Sequence, residues 1–294
     1  MDEIFGIPAP LLFGQLLLGL INGAFYALLS LGLAVIFGML NVINFAHGAQ
    51  FMMGAFAAWM LLEWGGIGYW PALILAPLIV GVIGVVLERL FISRLYKVDH
   101  LYGLLLTFGL ALAIEGLFRN QFGSSGMPYR IPEALQGATD LGFMFLPNYR
   151  GWVVIASLAV CIATWLVIEK TRLGSYLRAA TENAPLVQAF GINVPRMLTL
   201  TYGAGVGLAA FAGVLAAPIY SVNPNMGANF IITVFAVVVI GGMGSIMGSV
   251  LTGFGLGIVE GLTKVFYPEA SATVIFVIMI VVLLLRPAGL FGRA

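Results

Sequence analysis

The side chains able to do chemistry in this sequence are few, and they gather in residues 41–54, NVINFAHGAQFMMG. The stretch holds Asn41, Asn44 and Gln50, the histidine His47, and the glycines Gly48 and Gly54. A histidine could ligate a metal or act as a base. No Cys or second His is placed to share a metal with His47, and catalysis would need a nucleophile and a base together. A packed, hydrogen-bonded His47 is the simpler reading, and no metal site is expected. The amides donate and accept hydrogen bonds without carrying charge. They suit either a broken helix end, whose free backbone groups need partners, or a path that a polar solute crosses without binding tightly. A similar run recurs later: residues 44–53 (NFAHGAQFMM) align with residues 223–232 (NPNMGANFII), which brings in Asn223 and Asn225. Asn44 and Gly48 recur as Asn223 and Gly227, whereas His47 is replaced by Met226. The repeat therefore argues for a backbone-shaping and pathway role over a catalytic one.

Acids inside apolar segments are the second candidates, because an ionised carboxylate at bilayer depth is costly. Glu260 joins Asn41, Asn44, His47, Gln50, Asn223 and Asn225 as a candidate pathway residue. Glu115 reads as a hydrogen-bonded or interfacial group. No chain of acids and histidines crosses the sequence, so proton or sodium coupling lacks its usual groups. The run GGMGSIMG supplies Gly241, Gly242, Gly244 and Gly248 for a tight, re-entrant turn between two apolar segments. It is not a phosphate loop: GxxxxGK[ST] is absent from the chain, so no ATP hydrolysis and no cofactor are expected here. Gly253 and Gly257, followed by Gly261, lie at a spacing of four, as do Gly203 and Gly207, and mark faces for close helix packing.

The elements that must position these residues are membrane helices. Of the 294 residues 61% are hydrophobic and 9% charged, against about 25% charged in soluble domains. The fold class is an all-α integral membrane protein. The net charge of +1 suggests no nucleic-acid partner, and the single Cys161 excludes an internal disulfide. The N-terminal MDEIFGIPAP lacks a basic n-region and is expected to be retained. Apolar runs predict spans near 11–38, 45–62, 70–88, 101–118, 151–168, 197–217, 229–243, 246–266 and 272–287, about nine with a range of eight to ten.

The basic residues orient the chain. With the N-terminus outside and the C-terminus cytoplasmic, Arg89, Arg94, Lys97, Lys170, Arg172, Arg178, Arg196, Arg286 and Arg293 fall inside. Residues 119–150 then form the long external loop, either a docking cap or a solvated connection. Residues 171–195 form the long cytoplasmic one. Leu173, Leu177 and Ala180 recur there at helical spacing, and Pro185 interrupts the helix and can open a second one that ends near Gly191. This segment is a surface connector or an amphipathic pair that receives force from a soluble partner. In this topology the two copies of the polar run face opposite sides, as an inverted-topology repeat of a transporter requires.

Taken in order, several pieces resemble one family. They are residues 41–48 (NVINFAHG), Glu88-Arg89, residues 104–109 (LLLTFG), the cytoplasmic run from Leu173-Gly174 through Arg178-Ala179-Ala180 and Glu182-Asn183 to Gly191-Ile192-Asn193, Gly213, Asn223-Pro224 and GGMGSIMGSVLTG. Over essentially its whole length the chain resembles the LivH-type permeases of ABC importers for branched-chain amino acids and other hydrophobic amino acids, amides or urea. It departs from them after Glu88-Arg89, where Ser93-Arg94-Leu95-Tyr96 stands in place of the frequent Arg-Pro pair.

The resemblance implies a single permease domain over residues 1–294 in a bacterial inner membrane. It implies a LivM-type permease partner, two ATP-binding cassette subunits that use ATP and Mg, and a periplasmic solute-binding protein. It also implies that residues 171–195 couple to the ATPase, with Arg178, Ala179, Glu182, Asn183 and Gly191 at the matching positions. The other reading of the composition is an ion-coupled secondary transporter or channel for small solutes.

Overall fold

The computed structural model describes residues 3, 4, 7–40, 42–96 and 100–292. Asn41, Lys97 and Arg293 lie outside the described residues. Ten helices follow one another: α1 (Ala9–Leu40), α2 (Ala46–Gly65), α3 (Tyr69–Leu90), α4 (His100–Phe122), α5 (Asn148–Lys170), α6 (Arg172–Ala189), α7 (Val194–Tyr220), α8 (Met226–Gly241), α9 (Ile246–Phe266) and α10 (Val274–Leu285). Two small antiparallel hairpins accompany them, β1 (Glu3–Ile4) with β2 (Ile7–Pro8), and β3 (Ala138–Asp140) with β4 (Phe145–Pro147).

A helix stands at each segment expected to span the membrane. By length and apolarity six of them can cross one: α1, α3, α4, α5, α7 and α9, while α8 and α10 are shorter apolar helices. Several expected bounds move. The loop between α4 and α5 is 123–147 and not 119–150. Arg119, Asn120 and Gln121 remain helical because polar side chains at a helix end do not stop it; the stop is Gly123, at φ +76°, whose N–H closes on Arg119 O at 2.9 Å. At the other end of the loop, Asn148 already opens α5. The segment between α5 and α7 likewise ends before 195, since α7 begins at Val194 with Pro195 in its first turn, where a missing N–H costs nothing.

The bundle is built around α1 and α7, which are mostly buried, whereas α3, α4 and α5 turn much of their surface outward. In lipid, helices gain no hydrophobic drive toward each other, so packing depends on close approach through small residues. The glycine faces supply it. A Cβ built at Gly81 of α3 would lie 3.1 Å from Gly203 O of α7, and one at Gly23 of α1 would lie 3.2 Å from Gly253 O of α9. Gly257 and Gly261 continue the α9 face against Gly19 and Gln15 of α1.

Candidate functional site

Helix α2 starts inside the bundle. His47 Nε2 lies 3.0 Å from Leu29 O, about three turns before α1 ends at Leu40; at 1.5 Å per residue that is about 16 Å along the α1 axis. The linker after α1 therefore climbs back before α2 begins. A helix start at such depth must find partners for its polar groups within protein.

The sequence provides most of them, while Asn44 Oδ1 and His47 Nδ1 have no hydrogen-bond partner among the described residues. Asn44, His47 and Gln50 are all buried. Asn44 Nδ2 donates to Gln50 Oε1 at 3.1 Å, and Gln50 Nε2 donates to Tyr202 Oη of α7 at 3.0 Å. Thr107 of α4 holds the linker from the other side: its hydroxyl accepts from Phe45 N–H at 3.2 Å and donates to Ile43 O at 3.0 Å. Thr107 enters the sequence reading only within the run LLLTFG, and Tyr202 not at all. Thr107 is a lone hydroxyl within that apolar run and Tyr202 one of three hydroxyls in LTLTYG, and nothing local shows what either bonds.

The second polar run enters α8. Asn223 Oδ1 accepts from Asn225 N–H at 3.1 Å, and Asn223 Nδ2 donates to Ser221 O at 3.2 Å, folding the turn after Ser221, which sits at φ +56°. Asn225 is exposed and accepts from Arg119 Nη2 of α4 at 2.6 Å. The two asparagines do not join the Asn44 network. The two runs meet instead through their glycines: a Cβ at Gly48 would lie 2.7 Å from Gly227 O, and one at Gly227 would lie closer still to Gly48 O. Glu260 stands apart from both. It accepts from Tyr26 Oη at 2.8 Å and pairs with Lys264 one turn on.

The glycine-rich turn joins α8 to α9. Gly242 and Gly244 adopt φ +101° and +85°, a region that a side chain strains, and Ser245 Oγ caps α9 by accepting from Gly248 N–H at 3.1 Å. Residues 290–291 close the end of α8: Leu290 N–H donates to Ile240 O at 2.8 Å and Phe291 N–H to Gly241 O at 3.1 Å. Gly241 and Gly248 face each other across the turn.

The segment between α5 and α7 is a bent helical pair. α6 breaks at Asn183 (φ −149°, ψ 83°), whose Oδ1 accepts from Leu186 N–H at 3.0 Å and so caps the second half. That half ends before Gly191 (φ +83°), and Asn193 caps α7 by accepting from Arg196 N–H at 3.0 Å. The first half is pinned to the bundle. Gly174 packs on the backbone of Ile168, Leu177 and Ala180 are buried, and Arg178 Nη1 reaches Ile168 O at 3.4 Å and Glu169 Oε2 at 3.5 Å. Ala179, Glu182 and Asn183 are exposed. Leu186 and Phe190 also face outward, Phe190 with 78% of its surface free. Sequence patterning did not single out Phe190, because an apolar residue at helical spacing reads as core. An apolar cavity of about 670 Å³ opens between α1, α5, α6 and α7, with Leu173 and Leu177 on its wall and Arg196 beside it.

Comparison with known proteins is consistent across the length of the chain. The family model described as "Branched-chain amino acid transport system / permease component" matches residues 15–283. The high-affinity branched-chain amino acid transport system permease protein BraD of Pseudomonas aeruginosa is 33% identical, covering 95% of each chain. The corresponding LivH of Escherichia coli K12 is 28% identical, again over 95% of each. The permease protein LivM of Salmonella typhimurium is 26% identical over 90% of this chain and 67% of its own length. No solved structure gives a significant match.

Proposed function

Because the chain belongs to the branched-chain amino acid transport system permease family and is a multi-pass permease subunit of an ABC importer, we propose that it passes branched-chain or closely related amino acids from an external binding protein to the cytoplasm. It does so paired with a LivM-type permease and driven by two ATP-binding subunits.

The observation that carries this reading is the bent helix α6. It is held to the bundle at Gly174 and Arg178, yet presents Ala179, Glu182, Leu186 and Phe190 to solvent. A large aromatic left exposed beyond the bend of a helix tied to the bundle is suited to fill a pocket on a protein partner. ATP-driven closure of the ATPase pair would pull on this end of α6 and, through the Gly174 contact, on α5.

The membrane arrangement follows. Helices α1–α5 and α7–α10 are the nine spans, with the N-terminus outside and the C-terminus cytoplasmic in a bacterial inner membrane. Arg89, Lys170, Arg172 and Arg286 then lie with α6 on the cytoplasmic side, as the charge rule asks. Helices α1–α4 and α7–α10 form an inverted repeat. Its support is the exchange of packing partners, since α1 runs along α9 as α3 runs along α7, and the meeting of Gly48 with Gly227, which occupy matching positions. Asn44, His47 and Gln50 anchor the deep start of α2 beside the pathway. Asn223 and Asn225 shape its outer approach. The external loop 123–147, stiffened by β3 and β4, is the surface for the binding protein.

Reconstitution tests the reading. ATP-dependent leucine uptake should require the partner permease, the ATPase pair and the binding protein together. Leucine flux through this chain alone, following its gradient, would favour the channel or secondary-transporter reading instead.

A further inference from the structure

A second cavity, of about 630 Å³, lies at the cytoplasmic end of the bundle, between the end of α3, the 3-10 turn Ile92–Leu95, the second half of α6 and the start of α7. Glu88, Arg89, Tyr96, Gln188 and Arg196 line it. Glu88 is 1% exposed. Its Oε1 accepts from Tyr96 Oη at 2.5 Å, but its Oε2 has no hydrogen-bond partner among the described residues. A buried carboxylate oxygen without a donor is costly and calls for one. Arg89 and Arg196, which line the same cavity, are exposed, and neither guanidinium forms an ion pair among the described residues.

One space is thus faced by a carboxylate short of a donor and by two exposed guanidinium groups that have no ion-pair partner among the described residues. A metal cation or an inserted lysine would satisfy Glu88 but be repelled by the arginines, and a simple anion would meet the reverse conflict. A zwitterion satisfies both. Its ammonium donates to Glu88 and its carboxylate accepts from a guanidinium fork.

We propose that this cavity binds a free α-amino acid from the cytoplasm, its ammonium on Glu88 and its carboxylate on Arg196 and Arg89, and that occupancy slows the transport cycle. The proposal rests on the reading that the imported solute is an amino acid. The regulation follows from the walls. Gln188 belongs to the half of α6 beyond the Asn183 bend, whereas Glu88 and Arg196 belong to α3 and α7. A ligand held between α3 and α7 also fills the space beside Ala184 and Gln188, so any cycle step that moves this half of α6 relative to the bundle must first release it. Accumulated product then restrains its own import.

Proteoliposomes carrying the whole importer, with ATP and the cytoplasmic side in the lumen, test this. Trapped leucine at about ten times its Kd for the site should slow initial uptake of labelled leucine by about tenfold. In Glu88→Gln and Arg196→Gln, uptake into empty vesicles continues and trapped leucine no longer slows it. Gln188→Trp, which fills the cavity from the exposed side, removes the sensitivity without touching either charge. Slowing retained in all three variants, or absent from the wild type, overturns the proposal.

Equilibrium dialysis of labelled leucine against the detergent-purified importer, without binding protein, separates the site from the solute assignment. Binding should depend on Glu88 and resist competition by N-acetyl-leucine or leucinamide, each of which lacks one charge. If empty vesicles take up no leucine, the solute assignment fails while dialysis still decides the site, and binding indifferent to Glu88→Gln rejects it.

Discussion

Gly48 of α2 and Gly227 of α8 pack backbone to backbone, and they are equivalent positions of the two polar runs, NFAHG and NPNMG. That contact is the one expected of the proposed inverted repeat, in which a residue near the pseudo-two-fold axis touches its own equivalent. Neither glycine can gain a side chain without displacing a carbonyl of the other helix, so the contact also fixes how closely α2 and α8 approach.

Gly48→Leu and Gly227→Leu should each lower the thermal stability of the purified permease, by about 1–3 kcal/mol or more, because the clash is with backbone. Gly116→Ala on α4, where nothing lies within 4 Å of the added Cβ, should be neutral or stabilising by about 0.5–1 kcal/mol. Thermal unfolding followed by fluorescence-detected gel filtration compares them, and equal losses at all three positions would discredit the packing argument.

The Asn44–Gln50–Tyr202 chain makes a different prediction. Gln50→Leu leaves both Asn44 Nδ2 and Tyr202 Oη without the partners they now have, at about 1–3 kcal/mol for a buried orphaned group. Tyr202→Phe removes only one end and should cost less. Uptake rates add the functional side. If Asn44→Ala and Asn223→Ala both leave uptake and expression unchanged, neither residue serves the pathway.

Glu260 bonds Tyr26 and Lys264 at once. Lys264→Met should destabilise the permease more than the double variant Glu260→Gln with Lys264→Met, because the single change leaves a buried carboxylate without its counter-charge. The ordering of melting temperatures is the readout, and a double variant weaker than Lys264→Met would contradict the pairing.

At α6, Phe190→Ala should weaken association with the ATPase subunits by about tenfold or more, the loss usual for a central aromatic anchor, while leaving the permease folded. Arg178→Glu should let ATP turnover continue with uptake reduced, since it breaks the tie to Ile168 O and opposes Glu169. Co-purification yields and paired ATPase and uptake rates check the two variants separately.

Much of this arrangement is legible in the sequence because membrane helices carry their own hydrogen bonds and need only length and apolarity. Pro185 and Gly191 likewise mark the bend and end of α6 by local backbone rules, and the observed break falls at Asn183, two residues before the proline. Helix ends in water are less legible: Arg119 suggests a loop by polarity, while the chain turns at Gly123 by conformation. Contacts between distant segments are not legible at all. Thr107 and Tyr202 sit in ordinary apolar helices until the fold brings the α2 start beside them. The cavity at Glu88 also escapes sequence reading, for Glu88-Arg89 at a helix end reads as an interfacial anchor, and only packing reveals that one of the pair is buried and the other free.

The most direct test of the account is leucine uptake by proteoliposomes containing this chain, its partner permease and the ATPase pair, with wild-type α6 or with Phe190→Ala and Arg178→Glu combined. ATP-dependent uptake, driven by external binding protein, is expected in the wild type and lost in the double variant while the permease pair stays assembled. Uptake that proceeds without the ATPase subunits, or that is unchanged in the double variant, would contradict it.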